Sequence, residues 1–150
     1  MKLTSAAFAD GESIPPKYSC EGEGISPPLS WSEVPEGAES FVLLCEDPDA
    51  PGGTFKHWAA YEISAATDSL PEGVPARTSD FKQASNDFGD TGFGAPCPPP
   101  GHGAHHYNFE IWALDTDTLE LGATPSYEQV RREAEKHKID SAELTGTFQR

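Results

Sequence analysis

Fourteen prolines and fourteen glycines in 150 residues leave this chain few uninterrupted runs long enough for a helix. Proline removes a backbone donor and jams the preceding helical turn, and glycine loses the most conformational freedom on folding. That content excludes a helical bundle and predicts short strands joined by many loops. The two residue types concentrate in GDTGFGAPCPPPGHG, residues 89–103, where five glycines and four prolines occupy fifteen positions. Loops this long inside a compact domain are uncommon, so a proline-dense one between strands reads as a rigid wall whose glycines let backbone N–H groups approach an anion. A chain of this length, 36% hydrophobic, can bury a sizeable core without disulfides, and residues 1–150 are read as one domain.

Within these limits three strands and one helix stand out. Phe41 to Cys45 are five consecutive apolar residues, too short for a helix but suited to a central strand covered on both faces and ending at Glu46 and Asp47. HWAAYEI, opening at His57 after the Gly52–Gly53 turn, alternates, with His57, Ala59, Tyr61 and Ile63 facing one way and Trp58, Ala60 and Glu62 the other. HYNFEIWAL, ending at Leu114, is rich in aromatic and β-branched residues and predicts a third. Prolines restrict residues 26–39 to an edge strand ending near Trp31, and residues 64–88 read as surface loops. Ser126 stands three residues before Gln129, a capping-box spacing, ahead of good helix formers with a narrow stripe of Tyr127, Val130 and Ala134. The tail AELTGTFQR predicts a last strand.

Charge and cysteine content restrict partners and compartment. A formal charge of −15, with ten basic residues, opposes attraction to nucleic acid or an anionic membrane. No run approaches a membrane-spanning length, and the first sixteen residues lack the apolar segment of a signal peptide. Cys20, Cys45 and Cys97 are odd in number, widely separated and without C-x-x-C spacing, which argues against a disulfide framework or zinc ribbon. The expectation is a cytoplasmic protein with reduced thiols, Cys97 being an inert member of the loop.

The chemistry concentrates in two stretches. In DPDAPGG, residues 47–53, Asp47 and Asp49 point to one side if the chain stays extended through Pro48, while Pro51 stiffens the turn. Asp and Pro also simply make turns, so the pair is informative only with its partner stretch. In AHHYNF, period-two geometry places His105 and Tyr107 on one side and His106 on the other. If the strands opened by His57 and His105 are neighbours, Asp47, Asp49, His57 and His105 converge at adjacent strand ends.

SPPLSW, then DPDAP followed by HW, then PPPGHGAHHYNFEIWAL resemble, in order and spacing, the phosphatidylethanolamine-binding protein family, also called the Raf kinase inhibitor protein family. The resemblance runs from Ser26 to Leu114, and the short chain is similar to the bacterial and archaeal branch. It implies a mainly β fold, a β-sandwich with Greek-key-type sheets and one or two short peripheral helices. It also implies an anion pocket built from Asp47, Asp49, Pro51, His57, Pro98, Pro99, His105 and Tyr107, with the Ala50–Pro51 peptide cis. His106 stands where the family usually has arginine, leaving any ion pair of that arginine open.

The function this implies is non-catalytic binding of a small anionic or phosphorylated ligand, with no cofactor and no metal, modulating a signalling or partner protein in the manner of a kinase inhibitor. Relatives often pair, so a homodimer is within expectation, although no segment marks an interface. Histidine donors oriented by the aspartates would reconcile two acids with an anion site, and binding would then weaken as pH rises through the histidine range. The alternatives are a metal-dependent hydrolase using Asp47, Asp49, His57 and His105 as ligands, and a structural docking module whose rigid loop is the contact surface. An acidic chain without a basic amphipathic helix gives little support to a lipid-surface role.

Overall fold

The computed structural model describes residues 1–150. It has eight strands, β1 (Lys2–Thr4), β2 (Leu29–Ser32), β3 (Ser40–Asp47), β4 (Phe55–Ser64), β5 (Ser69–Leu70), β6 (Lys82–Gln83), β7 (His105–Leu114) and β8 (Lys138–Phe148). One α-helix, α1 (Tyr127–Glu135), and a short 3-10 turn at Pro16–Tyr18 complete it. A small sheet has the order β1-β2-β5 and a larger one the order β6-β4-β3-β7-β8, with all pairs antiparallel. In the larger sheet β7 returns beside β3 after β3, β4 and β6 have been laid down, which is the Greek-key order.

The apolar run of β3 puts it in the middle. Phe41, Leu43 and Cys45 face a core shared with Leu3, Leu29, Trp31 and Leu70 of the small sheet. Val42 and Leu44 face the other way, against Tyr127, Val130 and Ala134 of α1. Both faces are covered, as a continuous apolar strand requires. The small sheet and the helix are the two lids of one central sheet, making the fold a sandwich on one side and a helix-backed sheet on the other.

The helix starts where its capping residues place it. Ser126 Oγ accepts from the Gln129 N–H at 3.2 Å and Gln129 Oε1 accepts from the Ser126 N–H at 2.9 Å. Each such cap is worth roughly 1 kcal/mol. The tail strand is longer than its sequence suggests, because β8 pairs with β7 from His105↔Phe148 to Leu114↔Lys138.

Three expectations are corrected by the backbone. Ile63 joins Trp58 and Ala60 on the small-sheet side, because Tyr61 and Glu62 both lie opposite Val42 in a bulge, with Glu62 at φ 56°. Every peptide bond is trans, including Ala50–Pro51. Cys20 and Cys97 form a disulfide across 77 residues, with Cα atoms 5.3 Å apart. Linear spacing hid this contact, which arises because the turn after Pro16–Tyr18 packs on the long loop, the Cys20 N–H donating to Pro96 O at 3.0 Å. The odd cysteine, Cys45, is buried in the core and left free, its thiol pKa pushed well up by burial. The reduced-thiol argument for a cytoplasmic location therefore fails. No helix is long and apolar enough to cross a membrane.

Candidate functional site

The site forms where β4, β3 and β7 end side by side, around a cavity of about 210 Å³. β3 places Asp47 centrally, on the same face as Cys45 and Leu43. Pro48 then turns the chain, and the Asp49 N–H donates to Asp47 Oδ1 at 2.7 Å. That turn separates the two acids. Asp47 stays buried and accepts from His105 Nδ1–H at 2.7 Å. Asp49 faces outward and accepts from both the backbone N–H and the Nδ1–H of His106, at 2.8 and 2.7 Å. The extended path that would have aligned them is absent, and Asp49 does not line the cavity. Its carboxyl is held below the usual range by the His106 bonds, so it clamps the outer edge of the turn to β7.

His57 reaches the cavity through a bulge. Cys45 pairs with Trp58 and Glu46 with Lys56, so His57 is an extra residue in β4. Strict alternation would send it to the helix side, opposite Trp58. The bulge instead turns it to the side of Trp58, edge-on to Tyr107 with ring centroids 5.2 Å apart. Bulges commonly re-aim side chains in this way. His57 Nδ1–H donates to Gly94 O at 2.6 Å, because a carbonyl only accepts. Burial pushes the pKa of His57 below its ordinary value, outweighing the Gly94 bond. At neutral pH His57 is therefore an uncharged ring lining the cavity, its Nδ1 committed to Gly94 and its Nε2 without a protein partner.

His105 is held at both nitrogens. Nδ1–H donates to Asp47, and Nε2 lies 2.6 Å from Nδ1 of His102. A neutral His105 accepts there from His102 Nδ1–H, whereas an imidazolium donates. Tyr107, one period along β7, lines the cavity beside them, its phenol kept protonated chiefly by burial.

The remaining boundary comes from loops. Pro51 and Ala50 close one side, and Cys97, Pro98 and Pro99 another. Phe55 and Phe88 stack edge to face at 4.7 Å beside His57, and Phe88 is 48% exposed at the mouth. Gly94 packs tightly on this ring: a Cβ there would lie 2.4 Å from Phe88, so a larger residue requires the ring to move. Buried Asn86 shapes this loop, donating to Gly92 O at 2.9 Å and accepting from the Phe88 N–H at 2.9 Å. Arg150 holds the proline segment, its Nε–H donating to Pro98 O at 2.7 Å and its carbonyl accepting from the Gly101 N–H.

Seven of the eight residues expected from sequence line one cavity: Asp47, Pro51, His57, Pro98, Pro99, His105 and Tyr107. The eighth, Asp49, supports it from outside. Sequence reasoning missed Phe55, Phe88, Asn86, Gly94, His102 and Arg150. Phe55 is two residues before His57 and was open to detection by that spacing, whereas the others reach the site through loop folding. No three histidine, cysteine, aspartate or glutamate side chains are arranged to hold a metal ion. For the hydrolase alternative the reason is local: Asp49 faces away, and Nδ1 of both His57 and His105 is already committed.

The comparisons with known proteins agree with this architecture. The family described as phosphatidylethanolamine-binding protein matches residues 4–149. A UPF0098 protein of Aquifex aeolicus is 43% identical, covering 100% of this chain and 89% of the relative. Among solved structures, Escherichia coli YbcL, described as a member of the mammalian PEBP family, superposes with a TM-score of 0.93 at 36% identity, covering 99% of this chain and 98% of YbcL. A PEBP homologue of Chlamydia trachomatis superposes with a TM-score of 0.90 at 42% identity, covering 99% and 97%. With its central sheet and the sequence stretches that shape its cavity inside the matched region, this chain belongs to the phosphatidylethanolamine-binding protein family.

Proposed function

We propose that the cavity binds a small phosphate-bearing ligand that brings a hydrogen-bond donor of its own, free or as the phosphorylated side chain of a partner protein. The observation that carries this reading is a 210 Å³ cavity lined by an uncharged His57, whose Nδ1 is committed to Gly94 O, by Tyr107 and by the buried Asp47–His105 pair. Tyr107 O–H donates to an anionic oxygen. His57 Nε2 and Asp47 accept, so they favour a P–OH or a neighbouring ammonium over a bare oxyanion. This removes the apparent conflict between a buried aspartate and an anion.

Size and chemistry favour binding over catalysis. The cavity lies below the roughly 300–1,000 Å³ typical of small-molecule pockets, which suits a headgroup rather than an acyl chain. Apart from Tyr107, no lining side chain carries a hydroxyl or free thiol, because Cys97 is in the disulfide. Phe55 and the exposed Phe88 offer apolar contact to whatever carries the phosphate.

The test is an NMR or calorimetric titration at about pH 7.5 with phosphate, O-phosphorylethanolamine and sulfate, where the unperturbed histidine range has been passed. Phosphate retains a P–OH and O-phosphorylethanolamine has an ammonium, whereas sulfate has no donor. Binding of the first two with shifts at Asp47, His57 and Tyr107, lost in His57→Gln and His105→Ala, is expected, with sulfate binding only in acid. Equal binding of sulfate at pH 7.5, or binding indifferent to both substitutions, overturns the reading.

A further inference from the structure

A second cavity, of about 360 Å³, opens at the β6 edge of the larger sheet, away from the site described above. Its polar lining includes Tyr61 of β4, Arg77, Lys82, Ser85, Thr91 and Thr124. No carboxylate lines it, in a chain whose acidic residues outnumber the basic ones 25 to 10. Two of those ten bases meet in one cavity. Lys82 is paired with Glu62 at 3.0 Å, but Arg77 is in none of the protein's ion pairs.

The cavity has a defined scaffold. Gln83 Nε2 donates to Pro75 O at 2.8 Å and to Ala76 O at 3.2 Å, while its Oε1 accepts from Trp58 Nε1–H at 2.8 Å. One amide thus bolts the loop bearing Arg77 to a fully buried tryptophan of the core. Opposite, the Ser85 N–H donates to Pro125 O at 3.2 Å, tying the chain just after β6 to the segment that leads into α1. At the floor, the Tyr61 ring is buried, yet its hydroxyl has no protein partner and is not sealed in the core, so it opens on the cavity. Burial keeps that phenol protonated and able to donate.

We propose that this cavity is a second ligand site, for a phosphorylated polyol such as a sugar phosphate. Arg77, a planar donor with no carboxylate to neutralise it, recognises the phosphate. Tyr61, Ser85, Thr91 and Thr124 carry hydroxyls that donate and accept, matching the hydroxyls of a polyol. The volume falls within the range of small-molecule sites, which the first cavity does not reach. The absence of lining carboxylates lets an anion enter despite the negative charge of the whole chain.

The experiment is an amide NMR titration of the full chain at fixed ionic strength with glucose 6-phosphate, inorganic phosphate and glucose, repeated on Arg77→Gln, Arg77→Lys and His105→Ala. Saturable shifts with glucose 6-phosphate at Tyr61, Arg77, Ser85, Thr91 and Thr124, weaker with either half of the ligand, are expected. Arg77→Gln should lower the affinity about tenfold or more, the share of a charge-assisted hydrogen bond, with Arg77→Lys restoring part of it. His105→Ala, which disables the first site, should leave this binding unchanged, and Arg77→Gln should leave phosphate binding at the first site unchanged. No shift at millimolar ligand, shifts confined to the His57 and Tyr107 end, or affinity indifferent to Arg77→Gln would overturn the proposal.

Discussion

The floor and the wall of the first cavity are built by different physics. The floor is three paired strands, where ladder register places Asp47, His57 and His105 and a core of fully buried side chains holds them. The wall, residues 86–104, contains no regular structure and depends on individual ties, among them Asn86, Gly94, the Cys20–Cys97 disulfide and Arg150. A register distributes its hold over many bonds, so no single residue is decisive. A loop held by separate ties is vulnerable at each, and local opening should begin there.

The largest expected effect comes from cutting the covalent tie. Cys20→Ser with Cys97→Ser, or reduction, should cost about 2–5 kcal/mol of stability, as for other disulfides closing long loops. Denaturant unfolding with and without reductant measures it. Phosphate affinity should fall while the amide shifts of β3 and β7 stay in place. Loss of those strand shifts as well would mean that the floor depends on the wall.

Gly94→Ala should come next, at about 1–3 kcal/mol for overpacking against Phe88. It should break the His57–Gly94 bond and impair binding, and thermal unfolding combined with phosphate titration reads both. A variant that binds normally would show that the wall can shift without disturbing His57.

A smaller effect follows from His57 itself. Its folded pKa is depressed by burial, so the unfolded chain takes up the proton first. Stability is then full above about pH 6.5, the unfolded value, and is lost as pH falls toward the folded pKa, by at most about 1.4 kcal/mol per pH unit. Unfolding followed from pH 8 to pH 5, against His57→Gln as reference, should show this loss only in the parent chain. An anion in the cavity should reduce it.

The smallest effect separates the two acids. Asp49→Ala removes a bond between an aspartate whose side chain is 41% exposed and a histidine whose side chain is 54% exposed, and should cost less than about 1 kcal/mol. Asp47→Ala leaves buried His105 without its acceptor and should cost roughly 1–3 kcal/mol as well as binding. Equal losses from the two, by chemical denaturation and titration, would erase the distinction between inner and outer aspartate.

Much of this protein was legible in the residues themselves. The apolar run of β3, the β-rich composition of β7, the Ser126–Gln129 cap and the order of the acid, proline and histidine stretches are local signals, and local signals survive in a linear string. They determined a β-rich fold, a helix start and a set of eight candidate site residues, seven of which line the cavity. Tertiary structure decided what depends on a second segment or on a departure from regular geometry. The His57 bulge exists only relative to β3, and without it alternation assigns His57 to the wrong face. The turn at Pro48 sends Asp49 outward to a histidine 57 residues away. Cys20 finds Cys97 because a short turn packs on a loop 77 residues later, a proximity that no spacing along the chain encodes.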